Sequence, residues 1–250
     1  MHGVDWLRLI MDFWRVISRQ ESQFEPEQYG VTAPSAQWVL RQLSDSWKLA
    51  LILSSLPGLY LLVLAWFGGL GGNPTQAFHQ FTGLWAMRIL WVTLVITPIQ
   101  SVTRWKGLAD FRQLFGLMAF FYAGLHLYGY LAIDLGWHWS WIGRDLWETS
   151  YLWFGLFSFI ILFLLAITSP KEAKRYLGKR WKKLHRWIYP AAIAAVLHYA
   201  YQLKGNLADP LGYAIILLLL FAFRVGAWFK KRQIARLMIP VGPKVRDDTL

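Results

Sequence analysis

The chain has no cysteine. Disulfides, thiolate zinc sites, Cys-bound iron–sulfur clusters, covalently attached c-type haem and thiol nucleophiles are therefore excluded together. Charge is scarce too: Asp, Glu, Lys and Arg make up 16% of the 250 residues, against about 25% in an ordinary soluble domain. Hydrophobic residues fill the difference at 56%, and aromatics alone reach 17%. A chain of this size cannot enclose so much apolar surface, so a bilayer is the solvent for part of it. That excludes a soluble globular enzyme. No P-loop, GxGxxG turn, HExxH helix or Ser–His–Asp set occurs, and hydrolytic or nucleotide chemistry has no support. The formal net charge of +12 invites a nucleic-acid partner, but all but four of the Lys and Arg sit in clusters between or beyond the apolar runs. Charge so placed sets membrane topology, and no nucleic acid is expected.

Six segments are long and apolar enough to cross a bilayer, at roughly 49–67, 82–100, 111–133, 149–168, 185–203 and 211–229. Gly- and Pro-bearing connectors separate them, among them GGLGGNP at 68–74 and DLGWHWSW at 134–141. Lys and Arg concentrate before the first span, between spans two and three, between four and five, and in the tail. Only Arg144 and Lys204 fall on the other side. The positive-inside rule then puts both termini in the cytoplasm. The expected fold is all-α, a polytopic six-helix transmembrane bundle. Residues 1–46 form a cytoplasmic extension, in which Trp6, Leu9, Ile10, Phe13, Trp14 and Ile17 recur at helical spacing. That pattern suits an amphipathic helix on the inner leaflet, with a polar linker over 20–37. Residues 47–229 form the six-span domain and 230–250 a basic tail. No internal sequence repeat stands out.

Ionisable residues inside spans are costly, and so each is a functional candidate. Those present are Arg88, His126, His198 and Arg224, with His185 at a membrane edge. His126 lies about 22 Å along span three and His198 about 20 Å along span five, both counted from the same side. A lone membrane histidine more often hydrogen-bonds a neighbouring helix. Two at one depth, with small residues (Ala123, Gly129, Ala191, Ala194, Ala195) nearby, suit the axial ligands of a b-type haem. His185 lies a further ~20 Å below His198, where a second haem would need a ligand; counting back on span three finds only Arg112 and Gln113. Its setting, KRWKKLHRW, equally suits interfacial anchoring or phosphate contact. Arg88 is placed to neutralise a haem propionate or to snorkel. His79, in FHQFTG, is placed to touch a propionate, to meet a quinone headgroup or to serve as a cap. Arg224 reads as snorkelling.

Three stretches, GGLGGNPTQAFHQFTGLWAMRILWVTLVITP, FRQLFGLMAFFYAGLHLYGY and LGKRWKKLHRWIYPAAIAAVLHY, resemble the MsrQ (YedZ) family within the ferric-reductase-like transmembrane superfamily. The likeness covers about residues 47–235. It implies haem b on His126 and His198, a third functional histidine at His185, and FMN association. It also implies electrons drawn from the quinone pool or a cytosolic flavin reductase. Their destination would be a periplasmic molybdopterin subunit that reduces methionine sulfoxide in proteins, with this chain in the bacterial inner membrane. A double arginine of that family, at the start of span three, reads Phe111-Arg112-Gln113 here.

The expected function is thus electron relay, with substrate chemistry on a partner and Trp137, Trp139 and Trp141 on the docking surface. Two alternatives stand beside it. One is a ferric-reductase-like carrier served by a separate flavoprotein. The other is a non-redox transporter or scaffold whose His and Arg line a polar path.

Overall fold

The computed structural model describes residues 34–105, 107–203 and 207–237. The expected amphipathic segment near the N-terminus and the end of the basic tail lie outside the described residues. Within them the chain is helical, with no strand. The helices are α1 (Pro34–Trp66), α2 (Pro74–Thr103), α3 (Leu108–Gly129), α4 (Trp139–Glu148), α5 (Ser150–Ile167), α6 (Lys171–Leu177), α7 (Lys179–Leu184), α8 (Ile188–Gln202) and α9 (Ala208–Leu237). A π turn at Tyr130–Asp134 prolongs α3, and a 3-10 turn at His185–Trp187 precedes α8.

Five stretches are long and apolar enough to cross a membrane: Ser46–Trp66, Pro74–Thr103, Leu108–Asp134, Ser150–Ile167 and Ala208–Lys230. The sixth expected segment, 185–203, divides into the 3-10 turn and the 15-residue α8. Pro190, within the first turn of α8, has no N–H to give the ladder, which suits a helix start and not a helix interior. Helix α1 begins earlier than expected, taking in the last residues of the anticipated linker, with Pro34 at its first position. At the other end α9 runs on into the basic tail, because Lys230 to Arg236 contain no helix breaker. The connector after α3 also holds a helix that the hydropathy did not show. Helix α4 is too short and too polar to register as a span, and Asp145 ties it down by accepting from Tyr130 Oη at 2.6 Å and Thr149 Oγ1 at 2.9 Å.

Two tight pairs organise the bundle: α2 with α3, and α5 with α8. Asn73 starts α2 by accepting from the Gln76 amide at 3.1 Å, and Pro74 follows at the first helical position. The α2–α3 connector is short enough to force an antiparallel hairpin, with Arg104 at φ 58° closing α2 through its amide to Gln100 O. Met87, Leu90 and Leu94 of α2, Leu114, Met118 and Tyr122 of α3, and Ala192 and Val196 of α8 share one core. Helices α1 and α9 flank it. Their outward rows, such as Leu49, Leu56 and Leu59, or Leu211, Ile215 and Leu218, are exposed as lipid-facing surface is.

Tyr122 fastens α1 to this core in an unusual way. In an unbroken helix the Gly58 amide would donate to Ser54 O. Here Gly58 N–H donates to Tyr122 Oη at 2.8 Å, and Tyr122 O–H donates to Ser54 O at 2.9 Å. The phenol is inserted into the ladder beside Pro57, where the helix is already weakened. Gly58 permits the approach, since a Cβ there would stand 3.1 Å from the phenolic oxygen. Tyr122→Phe removes both bonds at a fully buried position, and it is expected to cost about 1–3 kcal/mol. The measurement is the thermal midpoint in detergent; an unchanged midpoint would show that the inserted hydroxyl does not hold α1.

Candidate functional site

The two membrane histidines are built into their helix pairs by the same device. His126 of α3 turns its Nδ1 to the carbonyl of His79 on α2, at 3.1 Å. His198 of α8 turns its Nδ1 to the carbonyl of Tyr151 on α5, at 2.8 Å. In both arms the histidine stands 47 residues beyond the carbonyl. One helical turn after each carbonyl comes a glycine, Gly83 or Gly155, and the imidazole lies over it. A Cβ on Gly83 would meet His126 Cε1 and Nδ1 at 3.1 Å, and one on Gly155 would meet the same atoms of His198 at 2.8 Å. Thr82, fully buried, adds a longer contact of its Oγ1 to His126 Nδ1 at 3.4 Å.

The arms face one another. The His126 and His198 ring centroids are 6.1 Å apart, with ring planes at 86°. With each Nδ1 engaged by a backbone carbonyl, Nε2 is the atom each ring can offer, and neither Nε2 hydrogen-bonds a described residue. Two metal–imidazole bonds of about 2 Å laid end to end, each with its ring behind it, also span about 6 Å between centroids. A carbonyl-anchored Nδ1 with a free Nε2 is the usual state of a metal-ligating histidine. Helices α3 and α8 pack mainly on α2 and α5 and little on each other, so a flat group between them need not displace a packed interface. These residues fit an iron porphyrin held by two imidazoles.

Two of the small residues near the pair, Gly129 and Ala191, make room for neighbouring helices. A Cβ on Gly129 would stand 2.6 Å from Phe78 Cε1 and 3.1 Å from His79 Cε1, so this glycine makes room for α2. Ala191, fully buried, packs on Ile161 and Leu165, and its carbonyl accepts from Ser158 Oγ at 3.0 Å. Both promote close helix packing.

The remaining candidates occupy three separate places. His79 belongs to the pair's surroundings: its ring stands edge-on to His126 at 5.4 Å, and its Nε2 lies 2.7 Å from Asp134 Oδ2. Asp134 was not anticipated; the π turn that carries it is visible only in three dimensions. Arg88 donates from its Nε to Tyr213 Oη of α9 at 3.1 Å and lies over Trp85. His185 is far from the pair along α8. Its Nε2 is 3.1 Å from Thr168 Oγ1 and Trp181 stacks on its ring at 3.9 Å. Its Nδ1 has no hydrogen-bond partner among the described residues. Among the described residues no group of three or more His, Cys, Asp or Glu is placed to hold a metal ion.

Arg224 does not snorkel. Its Nη2 donates to Leu94 O at 2.7 Å, a carbonyl whose ordinary helical partner would be the amide of residue 98. Residue 98 is proline, so the carbonyl was left free and the guanidinium satisfies it. An intramembrane Arg together with a mid-span Pro was the sequence signal for this contact. A signal for the paired arms existed as well: Gly-Leu at 83–84 and 155–156, and Leu-His at 125–126 and 197–198. The correspondence is too sparse to be noticed before the geometry selects it.

Comparison with known proteins places the chain among its relatives. The family described as ferric reductase like transmembrane component matches residues 82–196, from Thr82 to just short of His198. A protein of Azospira oryzae named protein-methionine-sulfoxide reductase heme-binding subunit MsrQ is 38% identical over 187 residues, covering 74% of this chain and 80% of its own length. Proteins of the same name from Xanthomonas euvesicatoria (39% over 181 residues; 70% and 82% covered) and Rhodospirillum rubrum (38% over 183 residues; 70% and 88% covered) are similar. No solved structure matches the chain.

The glycine contacts give a direct test. Gly155→Ala forces the His198 ring to move, and its thermal midpoint is expected to fall by several degrees for a strain of about 1–3 kcal/mol. Gly124→Ala, whose Cβ would meet nothing within 4 Å, is the matched control. Equal midpoints for the two variants would show that the ring does not depend on the glycine.

Proposed function

The chain belongs to the MsrQ family of heme-binding subunits, and from that premise we propose that it is a membrane cytochrome b with His126 and His198 as its axial ligands. The observation that carries the reading is the imidazole pair, 6.1 Å apart with each Nδ1 on a carbonyl. A haem held there supplies one-electron transfer between a donor and an acceptor on opposite sides of the bilayer. The protein's part is to position and insulate. The carbonyls of His79 and Tyr151 fix the tautomer with Nε2 unprotonated and hold the ring planes. Gly83 and Gly155 let each ring seat against the neighbouring helix. Apolar side chains around the pair exclude water.

The chain is the electron-transfer subunit and not the catalytic one. Its outlet is a periplasmic molybdopterin subunit that reduces methionine sulfoxide in proteins. Its electrons come from the quinone pool or a cytosolic flavin reductase, with FMN associated. These assignments follow the family likeness. Trp137, on the approach to α4, and Trp139 and Trp141, on α4 itself, are exposed at the histidine end, and they support a docking face there. The clustered Lys and Arg at the opposite end support an inner-membrane protein with both termini in the cytoplasm. Six crossings then require α8 to span with help from the turn before it. Its 15 residues reach about 22 Å.

The expected spectrum of the purified protein has a reducible Soret band. Either His126→Ala or His198→Ala abolishes it, whereas His185→Ala and Arg88→Gln retain it. Persistence of the band in both pair variants would sink the ligand assignment. The absence of native cysteine makes topology equally testable, because each introduced thiol is the only one. Ser140→Cys should react with a membrane-impermeant maleimide added outside spheroplasts, and Lys179→Cys only after lysis. The reverse pattern would overturn the orientation.

A further inference from the structure

The imidazole pair depends on two carbonyls, His79 O near the start of α2 and Tyr151 O at the start of α5. Each bond fixes one ring within its own helix pair. Neither fixes one arm against the other, and the 86° between the ring planes requires that as well. On the inner side of the pair the arms meet through apolar rings. Phe120 of α3 stacks on Phe159 of α5 at 5.7 Å and meets Phe163 at 6.0 Å. On the outer side the tie is polar, and it runs through the π turn at Tyr130–Asp134.

The two ends of that turn reach opposite arms. Asp134 closes it, with Oδ2 2.7 Å from His79 Nε2. His79 is the residue whose carbonyl holds His126. Tyr130 opens the turn and donates to Asp145 Oδ2 of α4 at 2.6 Å, while Asp145 Oδ1 accepts from Thr149 Oγ1 at 2.9 Å. The Thr149 amide donates to Asp145 O at 2.9 Å as well. Thr149 stands two residues before Tyr151, whose carbonyl holds His198. Both carboxylates, Asp134 and Asp145, lie within electrostatic reach of Tyr151.

The helical phase explains why a π turn is needed. Asp134 lies eight residues past His126, and eight steps of ~100° would turn it about 80° away from the His126 row. A π turn pairs i with i+5, advances less per residue and brings the carboxylate back over that row. The contact of Tyr130 with Asp145 has the length of a charge-assisted O–H···O⁻ bond, roughly twice as strong as a neutral one.

We propose that the π turn is a clasp between the arms. Through Asp134 on His79 and Tyr130 on Asp145, it sets one arm against the other and with that the angle between the imidazole planes. Tyr130, Asp134 and Asp145 are then positioning residues that act on the pair through the backbone. The consequence for a bound haem rests on the ligand reading above, whereas the tie between the arms does not.

The lack of cysteine allows a nitroxide pair to be placed without background. Gln80→Cys on α2 and Trp153→Cys on α5, both exposed, carry the labels in full-length protein in nanodiscs. Pulsed electron paramagnetic resonance gives the distance distribution between them. With the clasp intact, one narrow peak is expected. Tyr130→Phe/Asp134→Asn broadens or shifts it, and Asp134→Glu, which keeps the carboxylate, lies nearer the parent than Asp134→Asn. Arg144→Gln breaks the 2.9 Å pair with Glu148 on α4, outside the clasp, and leaves the peak unchanged. The second readout is the low-spin ferric signal of unlabelled protein. Its largest g value falls as two axial imidazole planes turn from perpendicular toward parallel. That value is expected to be lower in the double variant than in the parent or in Arg144→Gln. If the double variant does not fold by circular dichroism, Tyr130→Phe alone replaces it. An unchanged distance distribution, or an equal change in Arg144→Gln, overturns the clasp. A changed distribution with an unchanged g value overturns its control of the ring angle. A parent without a Soret band sinks the ligand reading and leaves the distance test to decide the clasp.

Discussion

The hydrogen bond from an imidazole Nδ1 to a carbonyl of the adjacent helix is the constraint on which the rest depends. It occurs twice, at His126 with His79 O and at His198 with Tyr151 O. Each instance requires a glycine one turn further along, because any side chain there would occupy the place of the ring. Each also requires the two helices of its pair to lie close, which explains the alanines and glycines between them. Once both arms are set, the two rings meet face to edge at one level. Neither helix pair could slide by a turn without breaking its own bond.

The same economy governs the prolines. A proline inside a membrane helix leaves a carbonyl that lipid cannot satisfy. At Pro98 the vacant carbonyl of Leu94 is taken by Arg224 from α9, and beside Pro57 the loosened ladder admits Tyr122 from α3. Weak points within single helices thus become the joints between helices. That couples α1 and α9, whose surfaces face mostly outward, to a core they otherwise touch lightly.

How much of this was legible in the sequence depended on scale. Long apolar runs and Lys/Arg clusters disclose membrane helices because lipid imposes length and composition directly. The equal depth of His126 and His198 was also readable, since it needs only the rise per residue. Facing direction was not. Arg88 turns to Tyr213 and Arg224 turns inward, and helical phase alone does not say which neighbour stands on which side. His185 was a candidate by its distance from His198, and the contact of its Nε2 with Thr168, at the C-terminal end of α5, was not readable because it comes from another part of the chain. Helix α4 escaped notice because a ten-residue amphipathic segment is decided by what it packs on. The two-arm correspondence escaped notice because a few shared residues in each arm carry all of it.

The phenol of Tyr122 has a consequence for biogenesis. A chain threaded into a bilayer from its N-terminus delivers the first helix well before the third has left the ribosome. During that interval the Gly58 amide has only the Ser54 carbonyl to pair with, and the helix closes on itself. When the third helix arrives it exchanges that one bond for two of its own. The first helix therefore acquires its final shape late, remodelled by a partner synthesised more than sixty residues after it.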